Sequence, residues 1–165
     1  MSDLGLEPVS EGAVTLRDLR ASDLPATLSW RNDPRSRPWF HSDAVIEWES
    51  HLRWFRSYLG KAEDHVFVLE DEGRPVAQVS LYRIDGDSAE FGRLLVDPET
   101  RGKGYGGIAS RLCLRLADEV LGLRIVHLEV KRTNSAAIKI YEALGFGIRP
   151  SATTPEDSVY MVRER

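Results

Sequence analysis

The chain has 165 residues, 42% hydrophobic and 29% charged, the make-up of one globular domain with its own core rather than a disordered chain. A formal net charge of −4 disfavours nucleic acid as the main partner, and no apolar run approaches membrane length. The single cysteine, Cys113, excludes an intrachain disulfide, and Met1 to Gly12 lacks the basic and apolar regions of a signal peptide, so a cytoplasmic enzyme is expected.

Residues 1–12 are polar and expected to form a flexible tail, with a single domain over 13–165. Val14 to Leu19 alternates like a strand. Ser22-Asp23-Leu24-Pro25 offers a capping hydroxyl and a proline tolerated in a first turn, which predicts a helix to Asn32 that stops before Asp33-Pro34. A second helix is expected from about Ser42 to Leu59, closed by Gly60. Val45, Trp48, Leu52, Phe55 and Leu59 supply its core stripe at spacings of three and four. A second stripe, His51, Trp54 and Tyr58, runs beside the first. It either looks into a cleft or widens the buried face.

Val66 to Leu69 and Pro75 to Ile84 read as strands joined by the turn Asp71-Glu72-Gly73-Arg74, and Asp85-Gly86-Asp87 turns again into a strand over 90–96. These three form an antiparallel meander. A glycine-rich loop, Arg101-Gly102-Lys103-Gly104-Tyr105-Gly106-Gly107, then opens a helix whose inner face carries Ile108, Leu112, Leu116 and Val120. Cys113 falls in that helix, where a buried thiol is the expected role. The strand at Ile125 to Val130 is reached through a helical crossover and should lie parallel to the strand at Glu90. Asn134 caps a further helix ending at Gly145, and short closing strands follow at Phe146 to Ile148 and Val159 to Val162.

A strand leading through glycines into a helix N-terminus is an anion cradle, because the first-turn N–H groups lack intrahelical partners and the helix dipole adds partial positive charge. Gly102-x-Gly104-x-x-Gly107 fits the dinucleotide fingerprint, with Glu129 near the place of a ribose-binding acid. The context does not fit, since Asp97 to Arg101 intervene between strand and glycines and hairpins precede the strand. No G-x-x-x-x-G-K-[ST] run occurs, which excludes a P-loop.

The loop with Arg101, Gly104 and Gly106 after Leu95-Val96 resembles the acyl-CoA motif of the GCN5-related N-acetyltransferases (GNAT). Asn134-x-x-Ala137-x-x-x-Tyr141 followed by Leu144-Gly145-Phe146 is similar to that family's C-terminal motif. The resemblance spans nearly the whole chain. It implies an α/β (α+β-like) fold in which a central mixed sheet, an antiparallel meander plus a parallel βαβ unit, is flanked by four helices. It also implies acetyl-CoA as co-substrate, held by Leu95, Val96, Arg101, Gly102, Lys103, Gly104, Tyr105, Gly106 and Asn134, with no metal. No metal-ligand spacing of histidines and cysteines is present.

Acetyl transfer to an amine needs a base for the ammonium proton and donors for the developing oxyanion and the departing thiolate. Glu90 is the candidate base, since alternation would place Glu90, Gly92, Leu94 and Val96 on one face. Tyr141 is the candidate acid, by the resemblance. Trp30-Arg31-Asn32 and His51-x-x-Trp54-Phe55 resemble the subgroup that acetylates nucleotide-linked amino sugars. That implies Arg31, Asn32, His51 and Trp54 in acceptor binding, with Arg35 and Arg37 as further cations for a diphosphate. Ala77, where the family often has glycine, and the segment after Phe146 depart from the pattern. A protein N-terminal acetyltransferase of the ribosomal-protein type and a non-catalytic acyl-CoA-binding module are the alternatives. The expected partner is a small-molecule amine, on a monomer or homodimer.

Overall fold

The computed structural model describes residues 5–165. Its strands are β1 (Val9–Glu11), β2 (Val14–Asp18), β3 (His65–Asp71), β4 (Arg74–Asp85), β5 (Ser88–Val96), β6 (Ile125–Lys131), β7 (Gly147–Arg149) and β8 (Ser158–Glu164). The helices are α1 (Leu24–Asn32), α2 (Trp48–Tyr58), α3 (Tyr105–Glu119) and α4 (Ser135–Ala143). All eight strands form one sheet in the order β1-β2-β3-β4-β5-β6-β8-β7. Only β5 and β6 pair in parallel, as a crossover through α3 requires.

The apolar run of β3 is buried on both faces, and its period of two divides it between two cores. Phe67 and Leu69 pack with Leu112, Leu116 and Tyr141 of α3 and α4, whereas Val66 and Val68 pack with Leu24, Phe55 and Tyr58 of α1 and α2. Cys113 lies wholly in the first core, and burial pushes its thiol pKa up. His65 is 3% exposed, its Nδ1 has no hydrogen-bond partner, and burial holds its pKa below 6.5 although Asp64 opposes the shift. A histidine neutral when folded adds nothing to the pH slope above its unfolded pKa. It costs stability as pH falls below that value toward its lower folded pKa. Denaturation midpoints should therefore decline as pH drops below about 6.5, and His65→Phe should reduce that decline. An identical pH slope in the variant would remove His65 as its source.

Three local expectations are corrected. Of the flexible tail expected over 1–12, residues 1–4 lie outside the described residues, while Val9–Glu11 is ordered as β1 against β2. The helix before Asn32 is an α-helix only from Leu24, after a 3-10 turn at Ala21–Asp23. Asp23, rather than Ser22, ties this entry together, accepting from the Arg20 N–H and from both terminal nitrogens of Arg17. Finally, α2 starts at Trp48 rather than Ser42. The Asn32 side chain takes both the N–H and the C=O of Ile46, each at 2.8 Å, groups a helix would need for its own ladder. The segment before α2 is thereby held extended, and Val45 and Trp48 are exposed instead of lining the core.

The second aromatic stripe divides in two. Tyr58 belongs to the core, its hydroxyl accepting the Val66 N–H at 3.0 Å, while His51 and Trp54 are half-buried and line a cavity.

Strand β5 carries a bulge. Ser80 is opposite Gly92 and Gln78 opposite Leu95, so Arg93 and Leu94 together face one β4 residue. Arg93 takes a left-handed φ of +52°, which costs a non-glycine residue about 1 kcal/mol or more. One extra residue reverses the alternation beyond it. Glu90 and Gly92 therefore do not share a face with Leu94 and Val96. Gly92 lies against Tyr82, whereas Leu94 and Val96 approach Gly106 of α3. β5 and β6 pair only through Ser88–Glu90 and Ile125–His127. Beyond those pairs the two strands part, opening a cleft in the middle of the sheet.

Candidate active site

A glycine-lined cradle is built by the turn after β5. Asp97 donates its N–H to the Val76 carbonyl, accepts the Glu99 N–H on its side chain and receives the Thr100 hydroxyl on its own carbonyl. The chain then passes through Gly102 (φ +87°) and Gly104 (φ +80°) into α3. Backbone of this hand is accessible to glycine at little cost. The first α3 bond runs from the Ile108 N–H to the Gly104 carbonyl. The N–H groups from Gly102 to Gly107 donate to no acceptor among the described residues. Gly102, Gly104, Tyr105, Gly106 and Gly107 border a groove of about 570 Å³ that runs along Leu94, Leu95 and Val96 toward Asn134 and Tyr141. A pyrophosphate with an extended arm fits such donors and such an open strand edge.

Arg101, Gly102, Gly104, Tyr105, Gly106, Leu95, Val96 and Asn134 all border the groove. Lys103 is exposed in the loop and is not on its wall. The Tyr105 hydroxyl donates to Asp71 at the end of β3. Arg101 donates to the Arg35 carbonyl and the Ser36 hydroxyl, each at 3.2 Å, which joins the cradle to the α1–α2 connection. Asn134, on the groove wall, accepts the Ala137 N–H through Oδ1 as the α4 cap.

The groove meets a second cavity, about 410 Å³, at the point where β5 and β6 separate. Tyr141 borders both. Its ring is fixed edge-on against Phe91 and Phe146, and its hydroxyl has no hydrogen-bond partner among the described residues. Burial pushes its pKa up, so it keeps its proton at neutral pH. Glu90 is on the wall of this second cavity, but its carboxylate is occupied by Arg83 at 2.8 Å. Burial and the adjacent Glu90 push the Tyr82 hydroxyl up to about 12. Glu129, on β6 across the cleft, is also on the wall, and its Oε2 is buried without a partner. Sequence reasoning considered Glu129 only for a dinucleotide fold. The available signal was its outward phase in β6, where Leu128 and Val130 are core.

A third cavity of about 300 Å³ lies between α1, α2 and β5 and includes Arg31, His51, Trp54, Gln78, Arg93 and Leu95 on its wall. Arg31 is packed over the Phe40 ring at 4.2 Å and donates Nη2 to the Ser42 carbonyl, while its Nη1 is buried without a partner. Desolvation and the charge of Arg37 lower its pKa. His51 Nε2 is likewise buried and unpartnered, and burial lowers its pKa, keeping the ring neutral. Of the residues expected to hold the acceptor, Arg31, His51 and Trp54 are thus brought together. Asn32 is not, since both ends of its amide are committed to Ile46. Arg35 is tied to Asp33 and Glu99. Trp54 stands in the middle of a stack, 5.4 Å from His51 on one side and from Tyr58 on the other, so its ring faces are already covered.

The same architecture recurs in known proteins. An Acetyltransferase (GNAT) domain model matches residues 13–147. The chain is 30% identical over 144 residues to a spermidine N(1)-acetyltransferase of Escherichia coli, covering 84% of this chain and 75% of that one. It is 29% identical over 157 residues to the [ribosomal protein bS18]-alanine N-acetyltransferase of E. coli, covering 89% and 95%. It spans 28% of a longer, uncharacterized Methanocaldococcus jannaschii protein, at 25% identity over 138 residues. In fold it is similar to the Vibrio cholerae spermidine N-acetyltransferase solved with CoA and spermine, with a TM-score of 0.84 at 22% identity over 93% of this chain and 96% of that one. With a family model across most of its length, a glycine cradle of free amides and a sheet that opens beside it, the chain belongs to the GNAT acetyltransferase family and is an acetyl-CoA-dependent N-acetyltransferase.

Proposed function

We propose that the acceptor is an amine carried on an anionic body, in the class of nucleotide-linked amino sugars. One observation carries this reading: the third cavity holds two buried, unpartnered nitrogens, Arg31 Nη1 and His51 Nε2, and no carboxylate on its wall. Arg31 Nη1, a buried charged donor, asks for an acceptor such as a phosphate or carboxylate oxygen, and the neutral His51 ring offers one further hydrogen bond beside it. A polyamine, the substrate in the names of two relatives, would bring further positive charge beside Arg31, which has no carboxylate ion-pair partner among the described residues. With Trp54 enclosed in its stack, a planar base would find the outer end formed by His51 and the exposed Trp48.

The amine then lies where the second and third cavities adjoin, which Arg31, Phe40 and Arg93 border in common. Glu129 is the better base because its oxygen is free, whereas an acceptor role for Glu90 first requires Arg83 to leave. Tyr141 faces the departing sulfur. A thiol with an ordinary pKa near 8.5 is a stronger acid than a buried tyrosine. The hydroxyl therefore stabilises the thiolate by donating a hydrogen bond rather than by handing over its proton.

An acceptor panel of amino-sugar nucleotides, N-terminal peptides and polyamines, read by free-thiol release, tests the proposal. Nucleotide-linked amino sugars should give the highest kcat/KM. Arg31→Ala should raise their KM by about tenfold or more, with the KM for acetyl-CoA unchanged. Preference for polyamines or peptides would overturn the reading, and absence of thiol release with every amine would favour a binding module.

A further inference from the structure

The bulge in β5 is a strained conformation at a residue that is not glycine, and the half-buried side chain of that residue is restrained from several sides. The Arg93 guanidinium donates to both oxygens of Asp64, at 2.7 and 3.1 Å, and Asp64 is 4% exposed. The same guanidinium lies over the Tyr82 ring at 4.2 Å and within 5.9 Å of the Trp54 ring centre. Its own carbonyl receives Nε2 of Gln78. A left-handed backbone at an ordinary residue persists only when its surroundings over-determine it. Here the surroundings reach from the turn before β3, from β4 and from α2.

We infer that Arg93 and Asp64 form a clamp that holds the β5 bulge, and through it the open strand edge that receives the extended arm of acetyl-CoA. Arg93 is a positioning residue in this scheme. Its side chain stabilises φ > 0, and φ > 0 sets the phase of Leu94 and Val96, which turn to the groove. If the bulge relaxes, those two side chains lose that phase and the cleft edge of β5 is rebuilt. The inference rests on the family reaction and is independent of the acceptor.

The test compares two ligands by calorimetry: acetyl-CoA, and adenosine 3′,5′-diphosphate, a fragment that lacks the arm. Arg93→Ala removes the clamp and leaves a residue that resists φ > 0. Arg93→Gly removes the same side chain but accepts that conformation freely. Arg93→Ala and Asp64→Ala should each weaken acetyl-CoA binding by about tenfold, with the nucleotide fragment unaffected. Arg93→Gly should bind acetyl-CoA within about threefold of the wild type, and adding Asp64→Ala to it should change nothing more. Equal losses in Arg93→Gly and Arg93→Ala would mean that the guanidinium contacts the ligand itself, and the inference fails. It fails equally if Asp64→Ala binds acetyl-CoA like the wild type. Should Arg93→Ala not fold, Asp64→Asn measured alone and on the Arg93→Gly background gives the same decision.

Discussion

Gly104→Glu is expected to reduce acetyl-CoA affinity by at least about a hundredfold, the loss of several charge-assisted hydrogen bonds. Gly104 is the residue before the first turn of α3 and has φ +80°, a conformation that any side chain strains. Charge adds a second effect. A carboxylate at a helix N-cap takes the N–H groups of the first turn for itself, so the variant supplies its own anion to the donors a pyrophosphate needs. A Cβ at this position meets nothing within 4 Å, and the fold should survive. Gly104→Ala carries the backbone strain without the charge and should lose much less. Titration calorimetry with acetyl-CoA, beside a thermal melt to confirm folding, reads both variants. Wild-type affinity in Gly104→Glu would show that the phosphates bind elsewhere.

Tyr141→Phe should lower kcat by about a hundredfold while the KM for acetyl-CoA stays near the wild-type value. The ring is buried and packed on Phe91 and Phe146, so phenylalanine keeps the packing and removes only the oxygen. Under the proposed mechanism Glu129→Gln should lower kcat by a similar factor, because a glutamine amide cannot take up the amine proton. Glu90→Gln should cost less, because that carboxylate is already engaged by Arg83. Full turnover in Tyr141→Phe would remove the hydroxyl from the chemistry. A larger loss in Glu90→Gln than in Glu129→Gln would return the base to β5, with Arg83 displaced when the acceptor binds.

Much of this arrangement was legible in the residue order. The glycines at 102, 104 and 106, the cap at Asn134, the apolar run of β3 and the alternation of β6 are local signals, carried by backbone preference and by residue pattern. They located the meander, the parallel crossover and the cradle in advance. Three features were hidden because they depend on partners distant in sequence. Asn32 read as a ligand contact but clips Ile46, and no propensity scale contains that hydrogen bond. Trp48 and Val45 kept helical spacing with the core stripe, yet the same clip holds Val45 out of α2 and delays the helix start to Trp48, leaving both exposed. Glu90 was placed in phase with Val96, an inference that one inserted residue overturned.

Residue order alone was enough for the fold class and for the glycine cradle at the start of α3, because a strand, a glycine turn and a helix N-terminus present their N–H groups wherever they occur together. Only the tertiary structure decided where the sheet opens and which carboxylate stands free beside it. Those outcomes depend on the β5 bulge, on β5–β6 pairing that stops at Glu90, and on Arg83 reaching Glu90 rather than Glu129. Each is a balance between groups far apart along the chain, and it is settled only when the packed molecule brings them within a few ångströms.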